Sequence, residues 1–294
     1  RLIRELKVDD CVFAYSDVPY QRVMALSAIV NAAGANFMLL GWQETMVKST
    51  KPVIAVGAVR TGGGKSEASR RIVDELKKRG LKVIAIRHPM PYGNLVKQAV
   101  QRFETIDDLS KHECTIEEME EYEPHVVRDT IIYSGIDYEA ILRQAESDPR
   151  GCDVILWDGG NNDFPFINPD LMITLVDPQR AGHEQSYYPG EITLRLADVV
   201  IVNKIESADL NDLFEVRKNV ARINPDAVII DACSPTAVHD PALIRGKKVL
   251  VIEEGPTVTH GEVKYSYGCF TAMKYGASER SEEHTSELQS PNTI

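Results

Sequence analysis

The stretch Lys51-Pro-Val-Ile-Ala-Val-Gly-Ala-Val-Arg-Thr-Gly-Gly-Gly-Lys-Ser66 decides the fold, because an apolar strand runs there straight into a glycine turn that ends in Lys-Ser. It reads as a phosphate-binding loop. A polyphosphate is cradled by backbone N–H groups that approach it closely, and Gly62, Gly63 and Gly64, next to Thr61, remove the side chains that would stand in the way. Lys65 then supplies a charge for the terminal phosphates and Ser66 a hydroxyl for Mg²⁺. From Glu67 to Lys78 a helical pattern turns Ala68, Ile72 and Leu76 inward and aims its positive end at the anion. Val59 stands where the first Gly of G-x-x-x-x-G-K-S is expected, which leaves the geometry of the loop entrance open.

Composition narrows the setting. The chain has 294 residues, 43% hydrophobic and 26% charged, enough for one good core and part of a second. No apolar run approaches the ~20 residues that span a bilayer, and Arg1-Leu-Ile-Arg-Glu-Leu-Lys7 has no signal-peptide character. Five cysteines lie scattered without Cys-x-x-Cys spacing, so a reduced, cytoplasmic location is expected rather than a disulfide framework. A net charge of −11 weighs against nucleic acid or an anionic membrane as partner. It does not weigh against a phosphorylated small molecule, since local cations within ~4 Å act far more strongly than the screened global charge. The oligomeric state is left open, a homo-oligomer included.

Three segments are expected. Residues 1–50 hold a strand (Cys11-Val-Phe-Ala-Tyr15), a helix (Tyr20 to Ala33) and a strand (Asn36-Phe-Met-Leu-Leu-Gly41), a βαβ piece that reads as the C-terminal part of a truncated N-terminal α/β domain, joined on by a polar linker from Gln43 to Thr50. Ser16-Asp17 at the end of the first strand suits either a ligand contact or a helix N-cap. Residues 51–279 form the nucleotide-binding domain. Residues 280–294 read as a non-native, adapter-derived tail and are set aside from fold reasoning.

Within 51–279, apolar strands repeatedly end in polar or charged loops, and open α/β sheets bind their ligands at the carboxyl ends of strands. Leu81-Lys-Val-Ile-Ala-Ile86 leads to Arg87-His88, stiffened by two prolines. Cys152-Asp-Val-Ile-Leu-Trp-Asp158 ends in the carboxylate expected to face Mg²⁺ across the loop, and Asn161, Asn162 and Asp163 follow as candidates to orient a substrate. Leu171 to Val176 leads to Arg180 and His183, and Lys248 to Glu253 leads to Gly255-Pro-Thr-Val-Thr-His260-Gly261. On the base side, Asn203-Lys204-Ile-Glu206 is close to the Asn-Lys-x-Asp that grips guanine, with Glu in place of Asp, and Ser234 belongs to the matching second loop. Asn94 to Glu123 is acidic and reads as an insertion on one side of the sheet, with Thr115-Ile-Glu-Glu118 a capping box.

With these residues collected, the chain resembles the cyclic 2,3-diphosphoglycerate synthetase family, also labelled predicted GTPases, within the P-loop NTPases. The likeness runs from Ala14-Tyr-Ser-Asp17 to Tyr275-Gly-Ala277 and is most specific at Val59 to Ser66, Arg87 to Gly93, Trp157 to Asp163, Tyr188-Pro-Gly-Glu191 and Gly255 to Gly261. Departures are Glu254, where Asp is usual, and Gly41-Trp-Gln-Glu-Thr45, where a Gly-Pro pair is expected. The resemblance implies an α/β P-loop NTPase fold with a mainly parallel sheet flanked by helices. It implies ATP, or GTP on the evidence of Asn203-Lys-Ile-Glu206, with Mg²⁺ on Ser66 and Asp158. It further implies 2,3-bisphosphoglycerate as acceptor, with Arg60, Lys65, Arg87, His88 and Asp158 catalytic and Arg180, His183 and His260 holding the substrate. The alternative is a GTPase acting as a switch or metallochaperone; a chain that binds nucleotide without turnover is the third reading.

Overall fold

The computed structural model describes residues 1–90, 93–253 and 267–284. The chain opens with α1 (Leu2–Leu6), β1 (Asp10–Val12), β2 (Val18–Pro19), α2 (Tyr20–Ala33) and β3 (Asn36–Met38). β1 and β3 pair in parallel across α2, the βαβ piece expected from the pattern. Phe13 and Val23 from this unit pack on Tyr188, and β2 pairs antiparallel with β10 (Tyr187–Tyr188), so the segment is joined to the larger body that follows by both side chains and backbone. In the stretch read as a linker, Trp42–Glu44 forms a 3-10 turn and Val47 bridges to Ile167.

The body follows as β4 (Val53–Ala58), α3 (Lys65–Lys78), β5 (Val83–Arg87), β6 (Gln101–Phe103), α4 (Ile106–Lys111), α5 (Ile116–Val126), β7 (Ile131–Ser134), α6 (Tyr138–Glu146), β8 (Val154–Asp158), β9 (Leu171–Val176), α7 (Gly190–Leu196), β11 (Val199–Val202), α8 (Leu210–Ile223) and β12 (Val228–Asp231). They build an eight-stranded sheet in the order β12-β11-β9-β4-β8-β5-β7-β6, parallel except for β6. The strands read as continuous apolar runs because helices cover both faces. Along β4, Val53 and Ala55 join the core beneath α6 (Ile141, Leu142, Ala145), while Val56 and Ala58 join the core beneath α3 (Ala68, Ile72, Val73, Leu76). Trp157 and Ile155 of β8 lie on the first side and Leu156 on the second.

Residues 94–123, expected as an insertion beside the sheet, are instead partly within it. β6 extends the sheet edge, and α4 and α5 close over it through Phe103, Leu109, Tyr122 and Val126. The reason is that most of the acidic residues sit outward while a sparse set of apolar ones faces inward, with the buried Glu118 accepting from Gln98 and the Thr115 backbone. The capping box forms as read, with Thr115 Oγ1 accepting from Glu118 N and Glu118 Oε2 accepting from Thr115 N.

After β12 come β13 (Lys248–Glu253), α9 (Tyr267–Lys274) and β14 (Glu279–His284), a second βαβ unit in which β13 and β14 pair in parallel. The first residues set aside as tail thus have strand backbone. Among the described residues no helix is long and apolar enough to cross a membrane.

Candidate functional site

The phosphate loop is shaped by where it cannot carry side chains. Gly64, the residue before α3, has φ +95°, and a Cβ there would fall 2.2 Å from Asn203 Nδ2. Glycine is required twice over, by backbone conformation and by close approach. The glycine absent at position 59 has a counterpart across the contact: the Val59 carbonyl lies so close to Gly190 that a Cβ on residue 190 would meet it at 2.1 Å. Val59 itself packs with Val176, Leu194 and Val200, so its side chain serves the core and its neighbour carries the space requirement.

Asn203 and Lys204, expected around a purine, support the loop from beneath. Asn203 Nδ2 donates to Gly63 O at 3.0 Å, and Lys204 Nζ donates to Gly62 O at 2.7 Å and to Asp177 at 3.0 Å. Glu206 Oε1 accepts from the backbone N–H of Ser234 at 3.0 Å, which ties the loops after β11 and β12 together. Lys65 is buried and donates to the carbonyl of Asn161, bringing the loop after β8 onto the phosphate loop. Burial pushes its pKa down to about 8, with Asp163 the leading opposing influence.

Asp158 is buried, and both carboxylate oxygens are engaged. Oδ1 accepts from Ser69 at 2.7 Å; Oδ2 is 3.0 Å from His125 Nε2 and 3.3 Å from Arg87 Nη1. Burial alone would raise its pKa, but Arg87, His125 and Ser69 together hold it well below the usual carboxylate range. Arg87 also pairs with Glu121 at 2.6 Å. His88, next along, lies over Gly160 and stands 3.7 Å from Asp163.

Asn162 is fully buried as scaffold. Its Oδ1 accepts from the backbone of Asp17 at 2.6 Å and its Nδ2 donates to Val59 O at 3.0 Å. Asp17, which accepts from Arg60 Nε at 2.7 Å, does not cap α2, whose N-cap is Pro19. The Arg60 guanidinium lies 3.5 Å over the Tyr187 ring and touches His183 Nδ1. Arg180 pairs with Asp177 at 3.0 Å. Thus Lys65, Arg87, His88, Asp158, Asn161 and Asp163 gather at one end of the sheet, Asn203, Lys204, Glu206 and Ser234 follow the carboxyl ends of β11 and β12, and Arg60, Asn162 and His183 lie at the contact with the N-terminal unit. Thr61 and Ser66 lie within the loop and the first turn of α3. His260 and its glycine-rich loop are outside the described residues.

Sequence reasoning missed His125, Glu121, Ser69, Asp177 and Tyr187. Asp177 ends a strand as Asp158 does and was open to the same argument. Ser69, one turn past Lys65, was marked by helical spacing alone. Nothing local marks His125, which reaches Asp158 from another helix.

The loop amides, Lys65 and the start of α3 fit a nucleotide polyphosphate, because Gly62 and Gly64 take positive φ, the turn that presents successive N–H groups to an anion at the N-terminus of α3. For a metal, Ser66 is the hydroxyl in place; among the described residues no trio of His, Cys, Asp and Glu side chains gathers to hold one.

No known family model matches the chain. It is 56% identical over 279 residues to the arginine synthetase ArcE of Thermococcus kodakarensis, an alignment covering 95% of this chain and 62% of that protein. It therefore spans less than two thirds of that relative's length. It is 28% identical over 106 residues to the cyclic 2,3-diphosphoglycerate synthetase of Thermococcus sibiricus, covering 35% of this chain and 24% of that protein. Among solved structures, LpxK from Aquifex aeolicus in complex with ATP superimposes with a TM-score of 0.54 at 12% identity, over 93% of this chain and 83% of LpxK. The chain has the α/β P-loop NTPase fold, and it is related to the family that its motifs resemble.

Proposed function

We propose that the chain is the nucleotide-binding part of an ATP-dependent synthetase that activates an acceptor oxygen by phosphoryl transfer and forms a product of the arginine class. The observation that carries the reading is the 56% identity to an arginine synthetase across 95% of the chain, with the whole phosphate loop inside the shared region. A guanidinium carbon is made from a ureido carbon by turning its oxygen into a leaving group. The ureido oxygen attacks the γ-phosphorus, that O–P bond forms, and the bond to the β-phosphate oxygen breaks. Ammonia then attacks the carbon, the C–N bond forms, and the C–O bond breaks; inorganic phosphate leaves with the acceptor's oxygen, and ammonia's extra proton passes to solvent.

Each residue has a task in this scheme. The amides of Gly62 to Ser66 and Lys65 hold the polyphosphate in line, and Asn203 and Lys204 keep the loop in shape. Ser66 would hold a Mg²⁺ that neutralises phosphate charge, and Asp158, whose oxygens already accept from Ser69 and His125, would face it as the nearby carboxylate. Glu206 stands where the guanine-gripping Asp is expected, and its bond to Ser234 gives it a structural role that does not depend on guanine.

A second reading, closure of 2,3-bisphosphoglycerate to its cyclic anhydride, is favoured by the motifs shared with those synthetases. It calls for surplus positive charge beside the nucleotide. Arg60, Arg87 and Arg180, expected to supply it, each face a carboxylate: Asp17, Glu121 with Asp158, and Asp177. The test mixes the protein, ATP and Mg²⁺ with L-citrulline and ammonia, or with 2,3-bisphosphoglycerate, using Lys65→Ala as control. Arginine formation supports the first reading; a cyclic anhydride in the phosphorus spectrum, without arginine, replaces it with the second.

A further inference from the structure

The segment after β8 continues past Asn161 into a carboxylate and an aromatic stack. Lys65 rests on Asn161 O, and the next acidic side chain, Asp163, is half-buried. Among the described residues its ion-pair partner is His88 alone, at 3.7 Å, and His88 Nδ1 is buried without a hydrogen bond. Three residues on, Phe166 is buried and stacks on Tyr138, the first residue of α6, with centroids 4.0 Å apart and planes within 7°. Tyr138 keeps 39% of its surface exposed, so ring area remains for a ligand.

The charges decide what this segment accepts. Around the loop, Arg60 is balanced by Asp17, Arg87 by Glu121 and Asp158, and Arg180 with Lys204 by Asp177. Lys65 belongs to the terminal phosphate. Asp163 is then a half-buried carboxylate whose charge is felt at Tyr138 and whose ion-pair partner among the described residues is His88. An anionic acceptor would be repelled there. A planar cation or amide would find two acceptor oxygens for its N–H groups and a ring to lie on. Consistently, Asp163 is the charge that most opposes the effect of burial on both Lys65 and His88, and after burial it is the cause that raises the pKa of Tyr138.

We propose that Asp163, His88 and the Tyr138–Phe166 stack form the acceptor subsite, and that it takes the planar nitrogen-bearing head group of an amino acid, a guanidinium or ureido group. The inference rests on the synthetase reading above. It adds the residues that select the acceptor, and Tyr138 enters the site for the first time.

Calorimetric titration tests it on the 294-residue chain with Mg²⁺ and ADP, with L-arginine and its ureido isostere L-citrulline as ligands. Asp163→Asn is expected to weaken L-arginine about tenfold and L-citrulline clearly less, because the carboxylate's charge is felt by the cation. Tyr138→Ala is expected to weaken both about threefold to tenfold through the lost ring, with Tyr138→Phe close to wild type. ADP binding, unchanged in affinity for the two Tyr138 variants and retained at saturating ADP for Asp163→Asn, which removes the charge that most supports the Lys65 proton, reports that the fold is intact. L-Arginine binding that is untouched by Asp163→Asn and Tyr138→Ala, with ADP binding intact, overturns the subsite and leaves the synthetase reading standing. A wild-type chain that binds 2,3-bisphosphoglycerate and neither amino acid overturns both.

Discussion

The ring of His88 lies directly on Gly160: a Cβ at residue 160 would stand 1.6 Å from His88 Cε1. Gly160, the second residue after Asp158, therefore keeps a seat for the imidazole beside Lys65 and Asp163.

Gly160→Ala should move that ring without unfolding the protein, because a side chain can swing aside where backbone cannot. We expect ADP affinity close to wild type and a rate of product formation lowered about 10²-fold, the scale of a misplaced group near the reacting atoms. Steady-state kinetics beside a nucleotide titration would check this; equal loss of both would contradict it.

Lys65 gives a pH signature. Its pKa in the folded, ligand-free chain is lowered to about 8 from 10.5 by burial. Between those values the unfolded chain holds the proton more tightly, so this group opposes folding below about pH 8 and the penalty fades as pH rises toward 10.5. Nucleotide binding follows the opposite course, since phosphates need the charged form. Affinity for ADP should fall as pH rises through about 8, and Lys65→Arg, which stays charged, should flatten the fall. A fluorescent nucleotide titrated from pH 6.5 to 9.5 on both proteins would measure it.

How much of this was open to sequence reading can be argued residue by residue. The strand, glycine turn and helix of residues 53–78 follow from local chemistry, and so do the strand ends that present Arg87, Asp158 and Asn203. Local patterns specify elements and sheet edges. They do not specify which buried groups meet. That Arg87 spends its charge on Glu121 and Asp158, or that Asn203 supports the loop, depends on side chains brought together from far along the chain. β6 escaped for a related reason, since a three-residue edge strand inside an acidic stretch has too short a period to recognise.

Asp158 should govern acid stability. Its pKa is held below the unfolded value of 3.8, so its stabilisation is complete above about pH 4 and is lost as pH falls further. Replacing it leaves His125 without its carboxylate in the interior and Arg87 with Glu121 alone, so Asp158→Ala should cost about 3–5 kcal/mol at pH 7. Chemical denaturation of wild type and variant at pH 3 and pH 7 would show the gap narrowing in acid. A gap of constant size would contradict the assignment.

Asp17 and Arg60 join the N-terminal unit to the phosphate loop at 2.7 Å, with Arg60 buried. Asp17→Ala and Arg60→Ala should each destabilise the chain by about 2–4 kcal/mol, and the double variant should cost much less than the sum. Additive losses in a double-mutant cycle would show that the pair is not a unit.

The central claim is that the acceptor's oxygen attacks the γ-phosphate. It is tested most directly by labelling the ureido oxygen of L-citrulline with ¹⁸O, adding ATP, Mg²⁺ and ammonia, and weighing the inorganic phosphate released. The account predicts that the label appears in phosphate in step with arginine formation and that Lys65→Ala abolishes both. Phosphate released without the label, at a rate indifferent to the acceptor, would contradict it and return the protein to the class of simple nucleotide hydrolases.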